Sequence, residues 1–204
     1  LFSAPGLGLL VIAGSLIVQS RNSNAKALRL YNQANKCAKK GNHQGAVSAL
    51  KEVLKIKPDL AAAKLDLGLL YFSQEKYEEA ISQFEEYLRI NEDEAVRFQL
   101  ALAHMQAENH EQALGILQSL SQETKQELDY ILALGSVFLD MGKPDLTLQV
   151  LRTGPTRKRS MDQKIALFRY LLGLAYIRLD DKKRALAEFK KVYVFDKDFH
   201  DVSE

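Results

Sequence analysis

The stretch DLGLLYFSQEKYEEAISQFEEYLRI, Asp66–Ile90, decides the fold. It holds two apolar runs at helical spacing, separated by the polar break Ser73–Lys76. Residues at i, i+3/4 and i+7 line one face of a helix, so the stretch reads as two amphipathic helices joined by a turn. The same order of residues returns in ALAHMQAENHEQALGILQSL, Ala101–Leu120, and in LGLAYIRLDDKKRALAEFKKV, Leu172–Val192. Each has a small residue, an aromatic or large side chain, a polar turn, an alanine and then a large apolar residue. Recurrence at a fixed period outranks other sequence signals, because it dictates a stack of like units.

Working outward, the units start near Ala27, Ala61, Glu94, Leu128 and Ala166, spaced by 34, 33, 34 and 38 residues. The marker residues are Leu67, Gly68, Tyr71, Ala80, Phe84 and Tyr87 in the second unit. They are Leu100, Ala101, His104, Ala113, Leu117 and Leu120 in the third. The fourth has Leu134, Gly135, Phe138, Thr147, Leu151 and Gly154, and the fifth Leu172, Gly173, Tyr176, Ala185, Phe189 and Val192. The first is weaker, with Gln33, Ala34, Cys37, Ala46, Leu50 and Val53 ahead of Pro58. Glycine inside a helix costs about 1 kcal/mol relative to alanine. Gly68, Gly135 and Gly173 are therefore expected where a neighbouring helix comes close, with Ala80, Ala113 and Ala185 opposite.

Turn chemistry marks the breaks: Gly41-Asn42, Gly142-Lys143-Pro144 and Asp180-Asp181 within units, and Lys57-Pro58-Asp59 between the first two. The longer fourth spacing carries RTGPTRKRSMDQ with the basic run Arg157, Lys158 and Arg159, read as a solvated loop or a contact to an acidic partner or to lipid headgroups. Ser160 and Gln163 have capping-box spacing for a helix restart. Residues 198–204 read as the start of a truncated C-terminal helix.

This pattern resembles the tetratricopeptide repeat family over nearly all of the chain after residue 26. The resemblance implies an all-α, right-handed superhelix of helical hairpins at 27–60, 61–93, 94–127, 128–165 and 166–197. It also implies that the first helix of each pair lines a concave groove. The lining positions carried over are Tyr31 and Asn35; Leu65, Leu69 and Phe72; Phe98, Leu102 and Met105; Leu132, Ser136 and Leu139; and Tyr170, Leu174 and Ile177. The family's carboxylate-gripping subset uses lysines, asparagines and an arginine at such positions. Here only Asn35 matches, against Tyr31, Asp66, Ala95 and Gln99, so an apolar helix or extended segment of a protein partner is the expected ligand.

Ahead of the repeats, Leu1–Val18 is uncharged, with Ser3 and Ser15 its only polar side chains. Eighteen helical residues reach about 27 Å, close to the ~30 Å of a bilayer's hydrocarbon. A single-pass transmembrane anchor over residues 1–20 is the leading reading, followed by a basic juxtamembrane linker at 21–26. A cleaved signal peptide and a buried core helix are the alternatives. Acidic residues are absent before Glu52, whereas Arg21, Lys26, Arg29, Lys36, Lys39, Lys40 and Lys51 precede it. That bias places the repeats on the cytoplasmic side, near anionic lipid.

Chemistry is hard to find. The four histidines form no ligand pair at helical spacing, and His104 stands where sister units have aromatics, as a packed core residue. Cys37 reads as a small core hydrophobe, and one cysteine excludes an internal disulfide. Phosphate loops, nucleophile elbows and metalloprotease motifs are missing. A net charge of +2, with no basic stripe interleaved with aromatics, argues against nucleic acid. The expected function is a non-enzymatic, membrane-tethered scaffold or assembly factor without cofactor, metal or small-molecule substrate. The alternatives are a permanent subunit of a membrane complex and an extracytoplasmic scaffold behind an uncleaved signal.

Overall fold

The structure, a computed structural model, describes residues 6–156 and 160–200, with side chains from Ser20 onward. It contains α1 (Gly6–Lys39), α2 (His43–Ile56), α3 (Ala61–Ser73), α4 (Tyr77–Leu88), α5 (Glu94–Gln106), α6 (His110–Gln118), α7 (Leu128–Asp140), α8 (Pro144–Leu151), α9 (Gln163–Arg178) and α10 (Lys182–Phe195). One 3-10 turn, Thr124–Gln126, precedes α7, and no strand occurs among the described residues. Consecutive helices pack as pairs, α1 on α2 through α9 on α10. The pairs fall into two compact units, the first ending at Glu92 and the second beginning at Asp93.

Local chemistry sets these boundaries. Gly41 and Gly142 take φ of +74° and +70° just beyond α1 and α7, the left-handed conformation that closes a helix and that glycine adopts without strain. Asn42, Asp93, Asp162 and Asp181 cap the helices after them, each side chain accepting a backbone N–H three residues on. Pro144 opens α8, where its missing N–H costs nothing.

In the first unit α3 packs on α2 and the core holds Leu50, Val53, Leu67 and Phe84. In the second, α7 and α9 lie on the preceding pairs around Leu117, Val137, Leu151 and Phe168. The expected close approach is present at Gly68, Gly135 and Gly173 alike. What meets them is the large residue of the second helix rather than the alanine: Phe84 at Gly68, Leu151 at Gly135 and Phe189 at Gly173. Thr147 fills the fourth unit's alanine slot, fully buried, and its hydroxyl donates to the Gly135 carbonyl at 3.1 Å. His104 is buried, as its aromatic slot implies, whereas Cys37 is only half-buried.

Several expectations need correction. Residues 21–26 are not a separate linker but part of α1, because glycine and proline are absent from Ser15 through Lys40 and nothing interrupts the hydrogen-bond ladder. Asp162, rather than Ser160, caps α9, and the helix begins at Gln163. Residues 196–200 form a turn and not a helix start. The remainder of the expected C-terminal helix, 201–204, lies outside the described residues, as do Arg157, Lys158 and Arg159. Of the expected anchor, Leu1–Pro5 is not described and the side chains through Gln19 are not. Among the described residues no helix is long and apolar enough to cross a membrane.

Candidate functional site

In the first unit, α1 and α3 lie side by side over α2 and leave a cleft of about 230 Å³. Ala34 and Ala38 keep one wall low, Leu50 forms the floor, and Leu69 and Leu70 form the opposite wall. Asn35 and Asp66 supply its polar groups. Leu69 is 41% exposed, a large apolar side chain held at the surface by a rigid helix.

Beside the cleft the Tyr31 hydroxyl donates to Oδ2 of Asp66 at 2.6 Å, tying α1 to α3. Burial, this hydrogen bond and the nearby carboxylate all favour the protonated phenol, and its pKa is pushed up to about 12; Asn35 acts weakly in the opposite direction. The folded pKa exceeds the ordinary value, so the stability contributed by Tyr31 is complete below pH ~10 and is lost as pH rises toward 12. Ultraviolet difference titration of the wild type against Tyr31→Phe is expected to isolate one phenol ionising near 12. Asp66→Asn lowers that midpoint partway, because burial, the largest cause, remains. A midpoint near 10 in the wild type means the pair does not form in solution.

The sequence-derived groove positions separate into three groups. Leu65, Leu69 and Phe72 stand on the accessible side of α3, with Phe72 edge-on to Tyr77 at 5.6 Å. Phe98, Leu102, Met105 and Leu174 are half-buried and pack against the second unit's core. Leu132 and Leu139 are core residues, only 6% and 7% exposed, and they are withdrawn as lining residues. Helix α7 packs against α6, α8 and α9, and this contact buries the two leucines. Tyr170 is half-buried under the chain's own C-terminal turn, stacked on His200 at 4.8 Å and touched by Phe199. Ile177, 48% exposed, is the accessible groove position of α9.

Sequence reasoning missed the cleft residues Ala34, Ala38 and Leu50 and the Tyr31–Asp66 bond. The separation of that pair, 35 residues, lies within one residue of the repeat length, which is the signal that could have flagged contact between first helices. Among the described residues no cluster of His, Cys, Asp or Glu could hold a metal ion.

Models described as tetratricopeptide repeat match residues 38–104 and 71–137, and again 166–198, together more than half of the chain. The chain belongs to the tetratricopeptide repeat family. Its fold is similar to that of MamA in a crystal structure, with 21% identity over 85% of this chain and 93% of that one, at a TM-score of 0.69. It is also similar to YrrB, described as a TPR protein with an unusual peptide-binding site, with 21% identity over 92% and 94% and a TM-score of 0.69. MamA from Desulfovibrio magneticus RS-1 matches at 16% identity over 86% and 97%, with a TM-score of 0.71. At such identities the likeness shows the tetratricopeptide fold alone. No curated protein matches this sequence.

Proposed function

We propose that this tetratricopeptide repeat protein is a non-enzymatic scaffold or assembly factor that binds an apolar helix or segment of a protein partner. One observation carries the reading: the cleft between α1 and α3 is open, apolar and walled by the exposed Leu69. A preformed concavity of this kind accepts a side chain without reorganisation. The peptide-binding site named for YrrB, a protein of the same fold, supports the reading. Membrane tethering through residues 1–18 belongs to the same proposal and rests on the uncharged run and the basic residues behind it. Confinement to a bilayer would raise the effective concentration of membrane partners, so weak cleft contacts would suffice.

Leu69→Glu is the variant of choice, because Leu69 is exposed and a charge there blocks the cleft without entering the core. Phe98→Glu is a poorer probe, since Phe98 lies in the second unit, whereas the cleft is in the first, and packs on its own unit's core. Helical peptides selected against the full chain are expected to carry apolar residues at i, i+3/4 and i+7. They should lose roughly thirtyfold in affinity to Leu69→Glu, the scale of a buried anchor. Selected peptides that bind this variant equally well would remove the cleft from the function. Tethering is tested separately, by flotation of the chain with liposomes before and after removal of residues 1–19.

A further inference from the structure

We propose that the α1–α3 cleft selects a basic amphipathic helix, one whose lysine or arginine pairs with Asp66 while an apolar side chain enters beside Leu69. This rests on the reading of the cleft as the partner's binding site and adds the partner's charge. Among the described residues that line the cleft, Asp66 alone is charged. It is half-buried, so it has lost part of its hydration and gains from a compensating charge. The group that hydrogen-bonds it is neutral. The Tyr31 hydroxyl donates to Oδ2 at 2.6 Å, and with its pKa pushed up to about 12 it stays a phenol that brings no countercharge. Among the described residues Oδ1 has no donor and Asp66 has no ion pair. Asp66 precedes Leu69 and Leu70 by one turn on the same helix. A partner helix lying along α3 therefore brings a residue of its apolar stripe to Leu69 and a flanking residue, one turn away, to Asp66.

The other charges around the cleft decide whether Asp66 sets the local sign. Lys64, the other charged residue of α3, is held by Glu86 at 2.8 Å. At the ends of α3, Asp59 is offset by Lys57 and Glu75 by Lys76. On α1, Lys26, Arg29 and Lys36 stand about 100° or more around the axis from Asn35, the residue that borders the cleft. Lys39 and Lys40 follow Asn35 by about a turn and are the charges that oppose a basic partner. Both are exposed and neither lines the cleft, so water and salt screen them. A cation placed directly on the half-buried carboxylate makes a charge-assisted hydrogen bond, which outweighs that screened repulsion.

The test uses fluorescence anisotropy of the full chain with three labelled helical peptides of roughly 18 residues. All share one leucine stripe, and the residues flanking it are lysine, glutamine or glutamate. The lysine peptide is expected to bind about fivefold more tightly than the glutamine peptide, and the glutamate peptide more weakly than either. In Asp66→Asn the ratio of lysine to glutamine affinity should fall to about one, because the amide keeps the shape and loses the charge. Tyr31→Phe breaks the same α1–α3 hydrogen bond but keeps the carboxylate, so the lysine preference should persist there. A lysine preference that survives Asp66→Asn, or one that Tyr31→Phe abolishes as fully, overturns the proposal. Equal binding of the lysine and glutamine peptides overturns it too, and the cleft remains the binding site if Leu69→Glu still weakens the glutamine peptide. Failure of all three peptides to bind removes the cleft from the function and this proposal with it.

Discussion

Arg169→Ala is expected to destabilise the second unit by about 3 kcal/mol, the lower end of the range for breaking a buried ion pair. Arg169 is only 6% exposed, and its guanidinium does two jobs. It pairs with Glu188 of α10 at 3.1 Å and donates to the Thr156 carbonyl at 2.6 Å, fastening the segment that leads into α9. Its loss leaves both acceptors short of a donor in a place that water barely reaches. Lys191 still contacts Glu188 at 2.8 Å, which keeps the effect from the upper end. Urea unfolding followed by circular dichroism measures the change as a lower midpoint at unchanged slope. The paired substitution Arg169→Met, Glu188→Leu should recover part of the loss, because two apolar groups leave no orphaned charge on either helix. A single variant as stable as the wild type would mean that the pair is solvated and structurally idle.

Gly173→Ala should cost about 1–3 kcal/mol, the usual penalty of overpacking, despite alanine's better helix propensity. A methyl group there would overlap the Phe189 ring, the tightest approach at any of the helical glycines. Gly68 follows, its added carbon 2.7 Å from Phe84, and Gly135 is mildest at 3.0 Å from a Leu151 methyl that can turn aside. Gly115 is the control. It lies in α6, is exposed, and has nothing within 4 Å of an added carbon, so Gly115→Ala should stabilise by about 0.5–1 kcal/mol. Melting temperatures of the four variants should therefore rank Gly115, Gly135, Gly68 and Gly173 from highest to lowest. If Gly173→Ala melts above the wild type, the helices of the fifth hairpin are farther apart than the structure has them.

Helix pairing was legible in the sequence because each signal is local. Apolar periodicity, the turn glycines and the small residue ahead of each aromatic act within a few residues of one another. Legibility weakened wherever the neighbour decides. Leu132 and Leu139 occupy groove positions by register, yet both are buried because α7 packs against three other helices, and the spacing within α7 does not report those neighbours. Tyr170 sits at an equivalent position but is covered by Phe199 and His200, a contact that depends on how the chain turns after α10. Capping at α9 was misplaced by two residues because Ser160 and Asp162 are both competent caps, and only the geometry chooses Asp162. The Tyr31–Asp66 bond escaped because each residue, read alone, only failed to match a known ligand-binding set.

The unbroken run of α1 has a consequence for geometry. Its 34 residues extend about 50 Å, while α2 beside it has 14 and covers only about 21 Å, so the earlier part of α1 projects as a rigid shaft. A shaft transmits twist. Each residue inserted between Arg21 and Lys26 would swing whatever is joined ahead of it by about 100° about the axis, and about seven would bring it nearly back to its original bearing. Helical phase, and not merely reach, would then fix the direction in which the α1–α3 cleft points.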